Sequence, residues 1–134
     1  MTTALVFQPD EYYPTIATKL LAAVPEFVTV FDVDDPAEIY MVIGEFSRFL
    51  LANHTDTALF QRCIDFINTS FQLGGQHTED VLWIQVFEEV IGNKEVLPQF
   101  VSHLSPQART LFETFQQAWL ESQKAWLESR TNKQ

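Results

Sequence analysis

Asp35-Pro36-Ala37-Glu38 stands directly before Ile39-Tyr40-Met41-Val42-Ile43-Gly44-Glu45-Phe46-Ser47-Arg48-Phe49-Leu50. The first four residues are a helix start. Asp35 can accept from the free N–H groups of a first turn. Pro36 takes the first helical position, where a missing N–H costs nothing. Glu38 stands three residues after the cap and suits the positive end of the helix dipole. Behind this start, Ile39, Val42, Ile43, Phe46, Phe49 and Leu50 recur at offsets of three or four, the stripe of an amphipathic helix. The helix runs to about Asn53. Gly44 inside it costs about 1 kcal/mol relative to Ala, and its want of a side chain suits a close helix crossing.

Outward from this helix the same grammar repeats. Thr55 or Asp56 starts the next helix, lined by Leu59, Phe60, Cys63, Phe66, Ile67 and Phe71. Gly74-Gly75 is predicted to end it in a left-handed cap. Thr78 is predicted to cap a fourth helix, with Glu79 and Asp80 in its first turn. From Val81 to Ile91 that helix is apolar nearly all round, broken only by Gln85, Glu88 and Glu89 on one narrow stripe. Such a helix belongs in the middle of a bundle with one edge wet. Gly92 closes it.

Towards the N-terminus, a helix is predicted from about Asp10 to Ala23, with Pro14 in its first turn and Pro25 after its end. Glu26 to Asp35 is read as an irregular connection, because Phe27 to Val33 has no evident partner strand. Towards the C-terminus, a short helix spans Lys94 to His103. Ser105-Pro106 then starts a last helix reaching roughly Arg130. Glycine is scarce, with 4 in the chain, and no Asn-Gly or Asp-Gly hairpin turn occurs. The fold class is therefore all-α: a compact bundle or short helical array of five to six helices, the last one long.

The last helix carries a repeat of period seven. Ala118-Trp119-Leu120-Glu121-Ser122-Gln123-Lys124 is followed by Ala125-Trp126-Leu127-Glu128-Ser129-Arg130. Phe112, Phe115, Trp119, Ser122 and Trp126 alternate three and four apart, the spacing of a coiled-coil seam. Two readings stay open. The tryptophan face docks on its own domain, or it projects and self-associates through Phe115, Trp119 and Trp126.

The chain has 134 residues, read as one domain over 1–134. Its 46% hydrophobic content supplies a core. The single cysteine excludes an intrachain disulfide. Met1 to Phe7 has no positive charge, and its short apolar run is followed by Asp10 and Glu11, so it reads as neither leader nor anchor. No run approaches the roughly 18 apolar residues that span a bilayer. The expectation is a cytoplasmic protein with no membrane partner. Net charge is −10, and residues 1–104 carry −11 of it against +1 in residues 105–134. A nucleic-acid binder shows a basic face, and this chain shows the reverse. An acidic surface suits a basic protein partner, and it also serves plain solubility.

Chemical motifs are sparse. Asp32-Val33-Asp34-Asp35 is the densest acidic cluster, but Ile43 stands where a calcium loop needs its twelfth-position glutamate. His54, His77 and His103 lie at predicted helix junctions, outside ligand motifs. Cys63 falls on an apolar helix face, where thiols are inert. Glu88 and Glu89 are neighbours on a helix, about 100° apart, and so form no facing dyad. No nucleophile elbow, Walker loop or dinucleotide fingerprint is present. The expectation is a chain that works by contact, without catalysis, cofactor or metal. Its partner-binding face would be Asp32, Asp34, Asp35, Glu38, Glu79 and Asp80.

The order of three segments resembles a family of small, uncharacterised bacterial all-helical domains. They are Glu38 to Phe46, Phe60 to Phe71, and Val81 to Val90 with Phe87-Glu88-Glu89. The resemblance covers about residues 15–117. It implies a cytosolic helical domain without known activity, of a look that occurs among immunity proteins of toxin systems. The tryptophan repeat after Gln117 is an extension beyond that pattern. The leading expectation is an immunity-type protein that neutralises a basic toxin by contact. The alternative is a structural protein that dimerises through its last helix.

Overall fold

The computed structural model describes residues 9–131. Met1 to Phe7, read above as neither leader nor anchor, lies outside the described residues. Six helices follow one another, and among the described residues there is no strand. A 3-10 turn at Tyr13–Thr15 leads into α1, Ile16–Ala23. A second 3-10 turn at Pro36–Glu38 leads into α2, Ile39–Ala52. Next come α3, Thr57–Leu73, and a composite helix α4. In α4, Gln76–Leu82 and Glu88–Ile91 flank a π-helical turn at Trp83–Phe87. Leu97–His103 is α5 and Pro106–Thr131 is α6.

The local start signals act as read. Asp35 accepts from the Ala37 N–H at 2.9 Å. Asp56 accepts from the Leu59 N–H at 3.2 Å. The Ser105 hydroxyl accepts from the Ala108 N–H at 3.2 Å, just before Pro106. Each satisfies a donor that has no partner inside its helix. The Glu26–Asp35 segment is an irregular connection.

Three expectations are corrected. The first helix begins later than Asp10, because Pro14 sits in a tight 3-10 turn before Ile16. Gly74 does not adopt a left-handed cap: its φ is −88° and its ψ 172°. The glycine serves space instead. A Cβ there would stand 2.5 Å from the Cβ of buried Thr78. Thr78 is not the cap of α4 either. It lies inside the first turn, after N-cap Gly75, and its N–H is taken by Asp10 from 68 residues away.

The core follows the predicted stripes. In α2, Ile39, Val42, Ile43, Phe46 and Leu50 are buried. In α3, Leu59, Phe60, Cys63, Phe66, Ile67 and Phe71 are buried. Helix α4 sits centrally, touching α2, α3 and α6. Its π turn accounts for its apolar pattern. Val81 to Val86 and Leu82 to Phe87 are steps of five, which an α-helix would swing off the core face and a wider turn returns to it. All four are buried, whereas Ile84 is 48% exposed. Phe87 is the aromatic hub, with ring centroids 5.4 Å from Phe71, 4.9 Å from Phe112 and 5.6 Å from Phe115.

Candidate functional site

Two pairs of neighbours orient the centre of the molecule. Gly44 of α2 lies against the Gln85 side chain of α4. Four residues earlier, Tyr40 feels the charge of Asp80. Both sequence positions fall together, so α2 and the first part of α4 run parallel. Their N-termini, and the acidic residues that start them, share one end of the molecule.

At that end the carboxylates are busy with backbone and short polar side chains. Asp32 accepts from the Asp34 N–H at 2.9 Å. Glu38 reaches back to the Asp32 N–H, bracing the loop before α2. Asp80 accepts from Gln76 Nε2 at 2.8 Å. Asp32, Asp34 and Asp35 are exposed, and Glu38, Glu79 and Asp80 are half-buried. None of the six makes a salt bridge among the described residues, where Arg62 pairs with Glu26 and the His54 ring stands 3.5 Å from the Glu95 carboxylate. Burial raises the Glu79 carboxyl above its ordinary range, and the charges of Asp80 and Asp10 push the same way.

Asp10 joins this end, a place that no sequence pattern assigns to it. Its Oδ1 accepts from the N–H groups of Tyr12, at 3.1 Å, and Tyr13, at 3.0 Å. Its Oδ2 accepts from the Thr78 N–H at 2.8 Å. One carboxylate therefore caps the approach to α1 and the first turn of α4. The Thr78 hydroxyl faces the same carboxylate without reaching good hydrogen-bond geometry. Burial acts to raise the Asp10 carboxyl. Donation from Thr78 and from the Tyr13 N–H outweighs it, and the net displacement is downward. His77 packs on Tyr13 with ring centroids 5.6 Å apart. The local signal for Asp10 is its place four residues before Pro14. Its contact with Thr78 had no local signal at all.

The other candidate chemistry separates. Glu88 and Glu89 are exposed, while Gln85 turns towards α2 and leaves their stripe. Burial pushes the Cys63 thiol up to about 12, which keeps it protonated. His54 lies beside Glu95, and His103 packs edge-on against Phe60. Among the described residues no three His, Cys, Asp or Glu side chains converge as a metal site. No described helix is long and apolar enough to cross a membrane.

The self-association residues divide along α6. Phe115 is buried against Trp83, 5.4 Å between ring centroids, and against Phe87. It faces its own core and cannot serve as a contact with a second chain. Trp119 is half-buried at the edge of that core. Beyond it every described residue is exposed, including Trp126. The first half of the tryptophan face therefore docks on its own domain, and the distal half projects beyond it.

A family model described as a domain of unknown function, DUF7674, matches residues 17–120. The chain belongs to that family. No curated protein and no solved structure matches the chain. The DUF7674 match runs from α1 to Leu120, one residue past the last packed side chain of α6. Asp10 and the distal tryptophan repeat both fall outside it.

Proposed function

We propose that this DUF7674 protein is a protein-contact module whose acidic end receives a basic surface of another protein. One observation carries the reading. The parallel arrangement of α2 and α4 brings two acidic helix starts to one end, and their six carboxylates have no Lys or Arg partner among the described residues. Like charges gathered without counter-charges cost some stability and steer a cationic partner inward. The resemblance to immunity-type domains supplies a concrete partner class, a basic toxin domain whose working surface the acidic end would cover.

Capture from source-cell lysate on the immobilised full chain tests this. The comparison is a variant carrying Asp34→Asn, Glu79→Gln and Asp80→Asn. These changes remove charge and leave the Asp10 and Asp35 caps in place. A basic protein held by the natural chain at low salt should be retained at least tenfold less by the variant. Equal retention by both, or capture of nothing basic, would sink the reading.

A further inference from the structure

The distal half of α6 is an unpartnered helix face, and its side chains are arranged with a symmetry of their own. From Leu120 to Thr131 all side chains are exposed, with Leu120 at 50%, Trp126 at 54% and Leu127 at 57%. At 100° per residue, Trp126 falls in line with Phe112, Phe115 and Trp119, which face the core. The seam that packs inside the domain therefore continues past the domain's edge. Leu120 and Leu127 lie on one flank of this ridge, and Ala118 and Ala125 lie on the other. Glu121, Lys124 and Glu128 point to the back of the helix, and Arg130 stacks over its own Trp126 ring at 4.9 Å.

We propose that this face pairs with the same face of a second copy, antiparallel, in the register that sets the two Trp126 side chains beside the two-fold axis, beyond the part of the helix that packs on its own core. Antiparallel helices meet like flank to like flank. In this register Leu127 comes beside Leu127 of the second copy, and Ala125 beside its own counterpart. The alanine flanks let the backbones approach, and the leucine flanks close over the tryptophans. The acidic side chains of the segment stay at the back, so no carboxylate is buried in the seam.

Charge selects a second copy and this orientation. Residues 1–104 carry a net −11, whereas residues 105–134 carry +1. The last helix is the one long element on which two copies meet without strong repulsion. Antiparallel pairing sends the two acidic bodies to opposite ends, and parallel pairing would set them side by side. Twelve residues of helix without tertiary contacts are marginal in water, so pairing would also hold the helix itself. The interface uses few large side chains per copy and belongs to the small, weak class, with micromolar dissociation.

Sedimentation of the full chain between about 1 and 200 µM, near the micromolar range of weak association, is the first test. The mass should double over that range. Leu127→Glu alters an exposed residue, so the fold is not at stake, and it should weaken pairing at least tenfold. Cysteine cross-linking then reads the register. In this pairing Ala125 lies nearly level with its own copy, and Ala118 stands about 24 Å from its own copy along the helix. Ala125→Cys should form a disulfide-linked dimer on oxidation, and Ala118→Cys should not. Cys63 is buried and stays out of the reaction. A monomer at every concentration, a dimer indifferent to Leu127→Glu, or equal cross-linking at both positions would each overturn the proposal. None of these results touches the acidic end, which stands or falls on its own variant.

Discussion

Asp10 does by itself what two local caps do elsewhere in the chain. It satisfies donors at the approach to α1 and in the first turn of α4, and so staples them together. Its folded carboxyl lies below the ordinary value. The stability it confers is therefore complete above the unfolded value, near 4, and is lost as pH falls through the folded one. Asp10→Asn should cost about 1–2 kcal/mol at pH 7, the range of a lost cap. The deficit should shrink towards pH 2, as measured by urea unfolding across pH. Glu79 carries the opposite sign. Its folded carboxyl is raised, so its contribution is complete at low pH and is lost as pH rises through the folded value. Glu79→Gln should raise Tm by about 1–2 °C at pH 7 and leave it unchanged at pH 3. A lower Tm at pH 7 would show that the charged form of Glu79 is held by a favourable contact. The two residues sit at one acidic end and answer acid in opposite directions.

At the scale of the elements, two glycines that look alike in the sequence do different work. A Cβ on Gly44 would come 2.8 Å from Gln85 Oε1, the far end of a flexible side chain. Gln85 can swing aside, so Gly44→Ala should gain about 0.5 kcal/mol from helix propensity. A Cβ on Gly74 would meet three side-chain atoms of Thr78 at 2.5–2.6 Å, and Thr78 is buried. Gly74→Ala should therefore cost about 1–3 kcal/mol by overpacking. Chemical denaturation of the two variants reads both signs. The same contrast marks what the sequence could disclose. Asp35, Asp56 and Ser105 were legible because a cap and its donor lie two or three residues apart. The apolar stripes of α2 and α3 were legible because helical period alone writes them. The role of Gly74 was not, since a glycine reads the same whether it supplies a left-handed φ or bare space. The α4 cap was misread for a related reason: Thr78 obeyed the local rule, while its partner came from across the chain. The π turn was hidden as well, because steps of five between apolar residues look like a helix that is apolar all round. Of the candidate site, the acidic residues could be named from sequence. That they share one end depends on the parallel course of α2 and α4, which no local pattern encodes.

Across the whole molecule, charge and apolar surface are segregated. The acidic helix starts lie at one end of the α2–α4 pair, and the unpartnered tryptophan–leucine face lies beyond the core on α6. These two surfaces respond to salt differently, which allows them to be told apart in one preparation. The fold carries a net charge of −10, and among the described residues Arg62–Glu26 is the single ion pair that involves a Lys or Arg. Repulsion between acids therefore outweighs attraction, and screening relieves it over distances beyond about 8 Å at physiological ionic strength. Raising sodium chloride from about 20 to 500 mM, across the range where the screening length contracts, should raise Tm rather than lower it. The rise should be smaller in the Asp34→Asn, Glu79→Gln, Asp80→Asn variant, which starts with less repulsion. Over the same titration a basic protein held at the acidic end should be released. The helix pair should persist or tighten, because its seam is apolar and its two bodies repel each other less. Calorimetry and sedimentation on the same samples measure all three responses. A Tm that falls with salt would mean that attractive pairs, not repulsion, dominate this surface, and would remove the electrostatic basis for a basic partner.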